Sequence, residues 1–233
     1  MKNFINVFKN KVNKDILETI RFYSSKNILK TIEFYSSNNN ILLHWYDKDN
    51  NFGDQLNLYL LKNLFNINVF SAKNIFNYNN SPVFSVIGSI LDNANYRNLE
   101  IWGSGFMYKN SKMKRKPKKI YAVRGPLTRQ NFINNGIDCP IVYGDPGILI
   151  SEIYNPKIQK KYKLGIIPHY VDKGNEIIAN LFNKYPEDIK IIDIQDNIEN
   201  VIDNIKSCEY ILSSSLDPGQ SGMWNWRDEL TNK

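Results

Sequence analysis

Short apolar runs, each closed by small or turn-forming residues, recur along this chain. Such a run, bounded by turn chemistry, predicts a buried strand. The pattern places strands at 41–45, 83–87, 100–102, 120–123 and 141–143, with a further one starting at Val69-Phe70. Leu56, Leu60, Leu61 and Leu64 recur at helical spacing after Asn51-Phe52-Gly53-Asp54. Gly53 permits a positive φ there, and Asp54 is expected to cap a helix starting at Gln55. A second helix opens at Pro126, where a missing N–H costs nothing, and runs toward Gly136. Further on, 164–167, 189–194 and 210–212 read as strands. Ile177, Ile178, Leu181 and Phe182 mark one helix between them, and 198–205 another. Strands alternating with helices predict an α/β protein with parallel sheets.

The alternation divides the chain. Residues 1–40 form an N-terminal helical extension, in which Thr19-Ile20-Arg21-Phe22-Tyr23-Ser24-Ser25 returns as Thr31-Ile32-Glu33-Phe34-Tyr35-Ser36-Ser37. Two copies are too few for a solenoid. Phe4, Ile5, Val7, Phe8, Val12, Ile16, Ile20 and Tyr23 lie near helical spacing with lysines between them. That segment either packs on its own domain, the stronger expectation, or lies on a membrane surface. Residues 41–155 read as a first Rossmann-like domain, and the charged stretch 156–163 as a linker. Residues 163–216 read as a partial second Rossmann-like domain. The pattern then stops, and 217–233 is an atypical tail, so the second domain is expected to be truncated or replaced.

Composition narrows the partners. The net charge of +7 and pI near 9.2 favour anionic ligands. Nucleic acid is not expected, because none of its recognition motifs occurs. Cys139 and Cys208 form no CxxC pair, and the chain has only two histidines, so no metal site is expected. No apolar run approaches the ~20 residues that span a bilayer, and no signal-peptide pattern opens the chain. A cytoplasmic protein is expected, with room for contact at the inner membrane face.

The candidate chemistry sits where strands run into turns. Arg124 should stand at a strand's carboxyl end beside a helix N-terminus, where open α/β sheets bind ligands. Helix N-termini favour anions, and a guanidinium adds a fork of donors. An arginine pairing with a nearby carboxylate is the alternative. Gly88-Ser89, Gly103-Ser104-Gly105 and Gly144-Asp145 close other strands. Small residues there let a ligand or a neighbouring backbone approach. Asp54 and Asp145 are expected to face one pocket. The basic loop 109–119 is either a solvated connection or an attractor for an anionic acceptor.

Seven motifs in order carry a resemblance. Asn51-Phe52-Gly53-Asp54, Ile87-Gly88-Ser89, Trp102-Gly103-Ser104-Gly105, Val123-Arg124-Gly125-Pro126-Leu127-Thr128, Gly144-Asp145-Pro146, Ile167-Pro168-His169-Tyr170 and Ile211-Leu212-Ser213-Ser214-Ser215-Leu216 resemble those of polysaccharide pyruvyl transferases. The resemblance implies two Rossmann-like halves of the GT-B type around a cleft. It implies transfer of the enolpyruvyl-derived group of phosphoenolpyruvate to a sugar, forming a pyruvate ketal, with no cofactor. The acceptor it implies is a lipid-linked or polymeric sugar of a capsule, exopolysaccharide or cell-wall glycan.

On that reading Arg124, Gly125, Ser213, Ser214 and Ser215 bind the donor, and Gly53, Gly103 and Ser104 the acceptor. His169, Asp54 and Asp145 are the candidate acids and bases, since ketal formation needs both. Histidine is the residue type whose charge changes near neutrality, which suits His169 to that role; the alternative is a hinge residue that only hydrogen-bonds. The family continues Ser-Ser-Leu into His-Gly, whereas Leu216 here meets Asp217. That departure leaves two other readings open: a nucleotide-sugar glycosyltransferase, or a non-catalytic remnant that binds glycan or a partner.

Overall fold

A computed structural model describes residues 25–48, 50–78, 80–169 and 172–214. Residues 1–24, Tyr170 and 215–233 lie outside the described residues, and with them Ser215, the tail and the first copy of the short repeat, apart from Ser25.

The chain is a mixed α/β protein with two parallel sheets. The larger holds β1 (Asn40–Leu43), β2 (Asn68–Ser71), β3 (Val83–Ser85), β4 (Leu99–Trp102) and β5 (Lys119–Ala122) in the order β2-β1-β3-β4-β5. Helices α1 (Ser25–Ser36), α2 (Phe52–Phe65), α3 (Pro126–Asn134) and α4 (Ile150–Ile153) accompany it. The smaller holds β6 (Tyr162–Ile167), β7 (Ile189–Ile191) and β8 (Cys208–Ser213) in the order β7-β6-β8, with α5 (Glu176–Lys184) and α6 (Ile198–Lys206). In the larger sheet the chain leaves β1 toward β2, then crosses back to β3. The order therefore reverses between β1 and β3, and a crevice opens at the carboxyl ends beside such a switch point.

Successive strand residues point to opposite faces, and β1 shows the consequence. Leu42 packs with Phe34, Phe70, Val83, Leu99 and Ile101 on one face. Leu43 packs with Phe52, Leu56 and Leu60 on the other. The second cluster runs on into the smaller sheet through Ile192, Ile198, Val201 and Ile202, so α2 and α6 share one core. Ile198, Val201, Ile202 and Ile205 follow helical spacing, and all are buried. Polar contacts tie the same seam. Tyr59 Oη donates to Glu199 at 2.8 Å, Tyr154 Oη donates to Asp203 at 2.9 Å, and Phe52 N donates to the Ile194 carbonyl at 2.9 Å.

Several expected elements change. Helix α2 opens at Phe52, not Gln55, because Asn51 is its cap and accepts from Gly53 N at 2.9 Å. Gly53 is helical, without a positive φ, and Asp54 lies inside the first turn. The run 141–143 is no strand: Tyr143 alone bridges to Val123, and Ile141 is 73% exposed. Pro140 has no N–H to donate before that bridge, and Gly144 N turns back to the Val123 carbonyl after it. β7 stops at Ile191 rather than 194, where Asp193 accepts from Gln195 N and turns the chain. The stretch read as a linker has β6 starting within it at Tyr162. Within the region read as an extension, α1 packs Phe34 into the core.

Candidate functional site

The turns after β3, β4 and β5 lie side by side at the carboxyl edge of the larger sheet. Gly88 and Gly103 both hold positive φ angles, 112° and 117°. A Cβ on Gly103 would sit 2.3 Å from Pro146 Cδ and 2.9 Å from the Val86 carbonyl oxygen, so only hydrogen fits. A Cβ on Gly105 would meet Thr128 Oγ1 at 2.9 Å and Arg124 Cδ at 3.1 Å. These small residues admit a neighbouring backbone or side chain. Gly105 N donates to the Gly88 carbonyl at 2.9 Å, and Arg124 N to the Ser104 carbonyl at 3.3 Å. Ser104 is buried, its hydroxyl 2.8 Å from that of Ser85.

Arg124 joins three of these turns. One terminal nitrogen donates to the Ser89 hydroxyl, and its Nε lies 3.5 Å from Asp145 Oδ2. Gly125 caps α3 with nothing within 4 Å of the place a Cβ would take, so the approach to that helix N-terminus is open there. Asp145 caps the short 3₁₀ helix Pro146–Leu149 and accepts from Gly147 N at 3.0 Å. Burial pushes its carboxyl above the ordinary range, while the Gly147 N–H and the Arg124 charge pull it down; burial wins.

Asp54 is buried in the first turn of α2, its Oδ1 4.0 Å from where a Cβ on Gly88 would stand. Asn57 belongs to none of the sequence motifs. It is fully buried, with Nδ2 donating to the Asp54 and Ile87 carbonyls and Oδ1 accepting from Ile87 N at 3.0 Å. It fixes α2 to the turn after β3. Its signal was a polar residue three and four positions before Leu60 and Leu61, on the helix's apolar face.

His169 and Ser214 form a second group, at the carboxyl ends of β6 and β8. His169 N donates to Ser214 Oγ at 3.0 Å, and Ser214 Oγ donates to Asp172 Oδ2 at 2.8 Å. Asp172 N returns to the His169 carbonyl at 2.7 Å. Ser213 ends β8 and is partly buried.

A cavity of about 240 Å³ adjoins the Arg124 group. Asp145, Gly144, Asn57 and Trp102 line it, with apolar residues of α2 and of the 146–149 helix. Asp54 is not among its lining residues, so Asp145 does not share this pocket with it. Among the described residues, no group of three or more His, Cys, Asp or Glu side chains is placed to hold a metal. Among them, too, no helix is long and apolar enough to cross a membrane.

These features define a parallel α/β protein with an arginine–carboxylate site at a sheet's carboxyl edge. The chain belongs to the polysaccharide pyruvyl transferase family, which matches residues 51–216. An uncharacterized protein of Acanthamoeba polyphaga mimivirus is 32% identical over 184 residues, covering 76% of this chain and 61% of that protein. The chain thus spans about three fifths of that relative's length. No solved structure matches it.

Proposed function

We propose that this protein transfers the enolpyruvyl-derived group of phosphoenolpyruvate to a sugar of a cell-surface polysaccharide, forming a pyruvate ketal. The observation that carries the reading is Arg124: a guanidinium at the sheet's carboxyl edge, beside the start of α3, in a chain of this family. A doubly anionic donor suits that fork of donors and that helix dipole. The two sheets are the two Rossmann-like halves of a GT-B-like enzyme. The acceptor is a lipid-linked or polymeric sugar, met at the cytoplasmic face of the membrane.

The chemistry sets the roles. Two sugar hydroxyl oxygens bond to C2 of the donor. The methylene carbon takes one proton and becomes a methyl group. The C2–O bond to phosphate breaks, and inorganic phosphate leaves with the other proton. Asp145, buried beside Arg124 with its carboxyl raised by burial, is the group placed to exchange a proton with the reacting sugar hydroxyl. Asp54 orients an acceptor hydroxyl from the first turn of α2, His169 serves as the other acid or base, and Ser213, Ser214 and Ser215 bind the phosphate.

Incubating the full chain with labelled phosphoenolpyruvate and a panel of lipid-linked sugars tests this. The expected result is phosphate release together with a ketal-bearing sugar detected by mass. Release of a nucleoside diphosphate from a nucleotide sugar, with none of phosphate from phosphoenolpyruvate, would overturn it.

A further inference from the structure

The larger sheet is covered unevenly. The segments joining β3, β4 and β5 send Leu91, Ala94 and Phe106 into one face, and α3 adds Phe132 there. On the opposite face α2 lies over one side and the 146–149 helix over another, leaving a groove between them. Its floor includes Val86 and Ala122. At its mouth stand Phe65, 47% exposed, and Trp102, 42% exposed, their ring centroids 6.4 Å apart and planes tilted by 41°. Alternation along β4 puts Glu100 on the Trp102 face, and Tyr121, 39% exposed, joins it there, its hydroxyl donating to Glu100 at 2.8 Å. Asp145 also lines the groove, and it pairs with Arg124.

Resting on the transferase reading above, we propose that this groove holds pyranose rings of the acceptor glycan and leads its reacting unit to Asp145 and Arg124. A pyranose has a face of slightly positive C–H groups and a rim of hydroxyls. Aromatic faces are negative and suit the former. Asp145, on the groove wall, supplies an acceptor for the latter, which an acyl chain could not use. Asp145 belongs both to the groove and to the arginine pair, so a chain bound in the groove would end beside the donor site. Few convergent polar groups in a mostly apolar slot are what a ligand needs for orientation.

The test is oligosaccharide binding by the full chain, read by calorimetry with neutral hexose tetra- to hexasaccharides as probes. We expect binding that weakens at least about tenfold in Trp102→Ala and in Phe65→Ala, and survives in Trp102→Phe. Thermal melting of each variant separates lost binding from lost fold. Unchanged affinity in both alanine variants would overturn the proposal. So would no binding of any probe, or a wild-type dimer that Trp102→Ala makes monomeric, which would assign the face to a second copy. Failure here with phosphate release intact removes the groove and leaves the transferase reading. Glycan binding without phosphate release does the reverse.

Discussion

The guanidinium of Arg124 stands with its Nε 3.5 Å from Oδ2 of Asp145, although each residue follows a different turn of the larger sheet's edge. Asp145 is buried while Arg124 keeps part of its surface in water. The pair is therefore poised rather than sealed: part of the guanidinium side chain faces solvent, where an anion can reach it, while the carboxylate stays buried.

Arg124→Ala should abolish phosphoenolpyruvate binding, followed by calorimetry. It should also cost stability, since it takes the cation from beside a buried carboxylate. A fully buried pair would lose about 3–5 kcal/mol; here about 1–2 kcal/mol is expected because one partner is hydrated. Arg124→Lys should restore most of the stability and little of the binding, since a point charge lacks the fork.

Asp145 gives a pH dependence of defined sign. Its folded carboxyl titrates above the unfolded value of 3.8. Between those values the folded chain holds a proton that the unfolded chain has released. Stability contributed here is thus present below about 3.8 and falls as pH rises through the folded value. Urea denaturation of Asp145→Asn beside the parent, across that range, should show a flatter profile in the variant.

His44 carries the opposite slope. It follows β1, and its Nε2 donates to the Ile90 carbonyl at 3.2 Å. Burial lowers its basicity most; Lys73 lowers it further, while the Ile90 carbonyl and Asp47 raise it. The unfolded ring takes a proton near 6.5, before the folded ring does. Stability is then full above about 6.5 and is lost as pH falls toward the folded value. His44→Gln should remove that loss, as measured by denaturant midpoints at mildly acidic pH.

Asn57→Ala should destabilise by about 1–3 kcal/mol, the cost of leaving the Ile87 N–H buried without its partner. Asn57→Asp restores the acceptor but buries a charge and loses the Nδ2 donors, so it should rescue little. Denaturant unfolding measures both. A change in ligand binding beyond the change in stability would show that the turn after β3 has moved.

Much of this molecule was legible in one dimension. The apolar positions at Val83, Ile101 and Leu164 read as strands because a segment that lines a core has little choice of side chain. Arg124 read as a strand-end residue from Val123 before it and Pro126 after it. Local chemistry also misled. Asp54 looked like a cap because Gly53 looked like a turn, yet Asn51 cap geometry took the helix start earlier. Ile141-Val142-Tyr143 had strand composition but no partner strand in register beyond Tyr143.

The pattern of apolar and polar positions by itself determined the α/β class, the parallel sheets and the turns that bear the candidate chemistry, since each depends on neighbours along the chain. Only the tertiary structure decided that Asp145 meets Arg124, that Asn57 ties α2 to the Ile87 turn, and that Asp54 lies outside the cavity Asp145 lines. It also decided that α2 and α6 fuse the two sheets through one core. Those relations arise from helix crossing, side-chain reach and strand order, which bring distant residues within a few ångströms and leave no periodicity in the sequence.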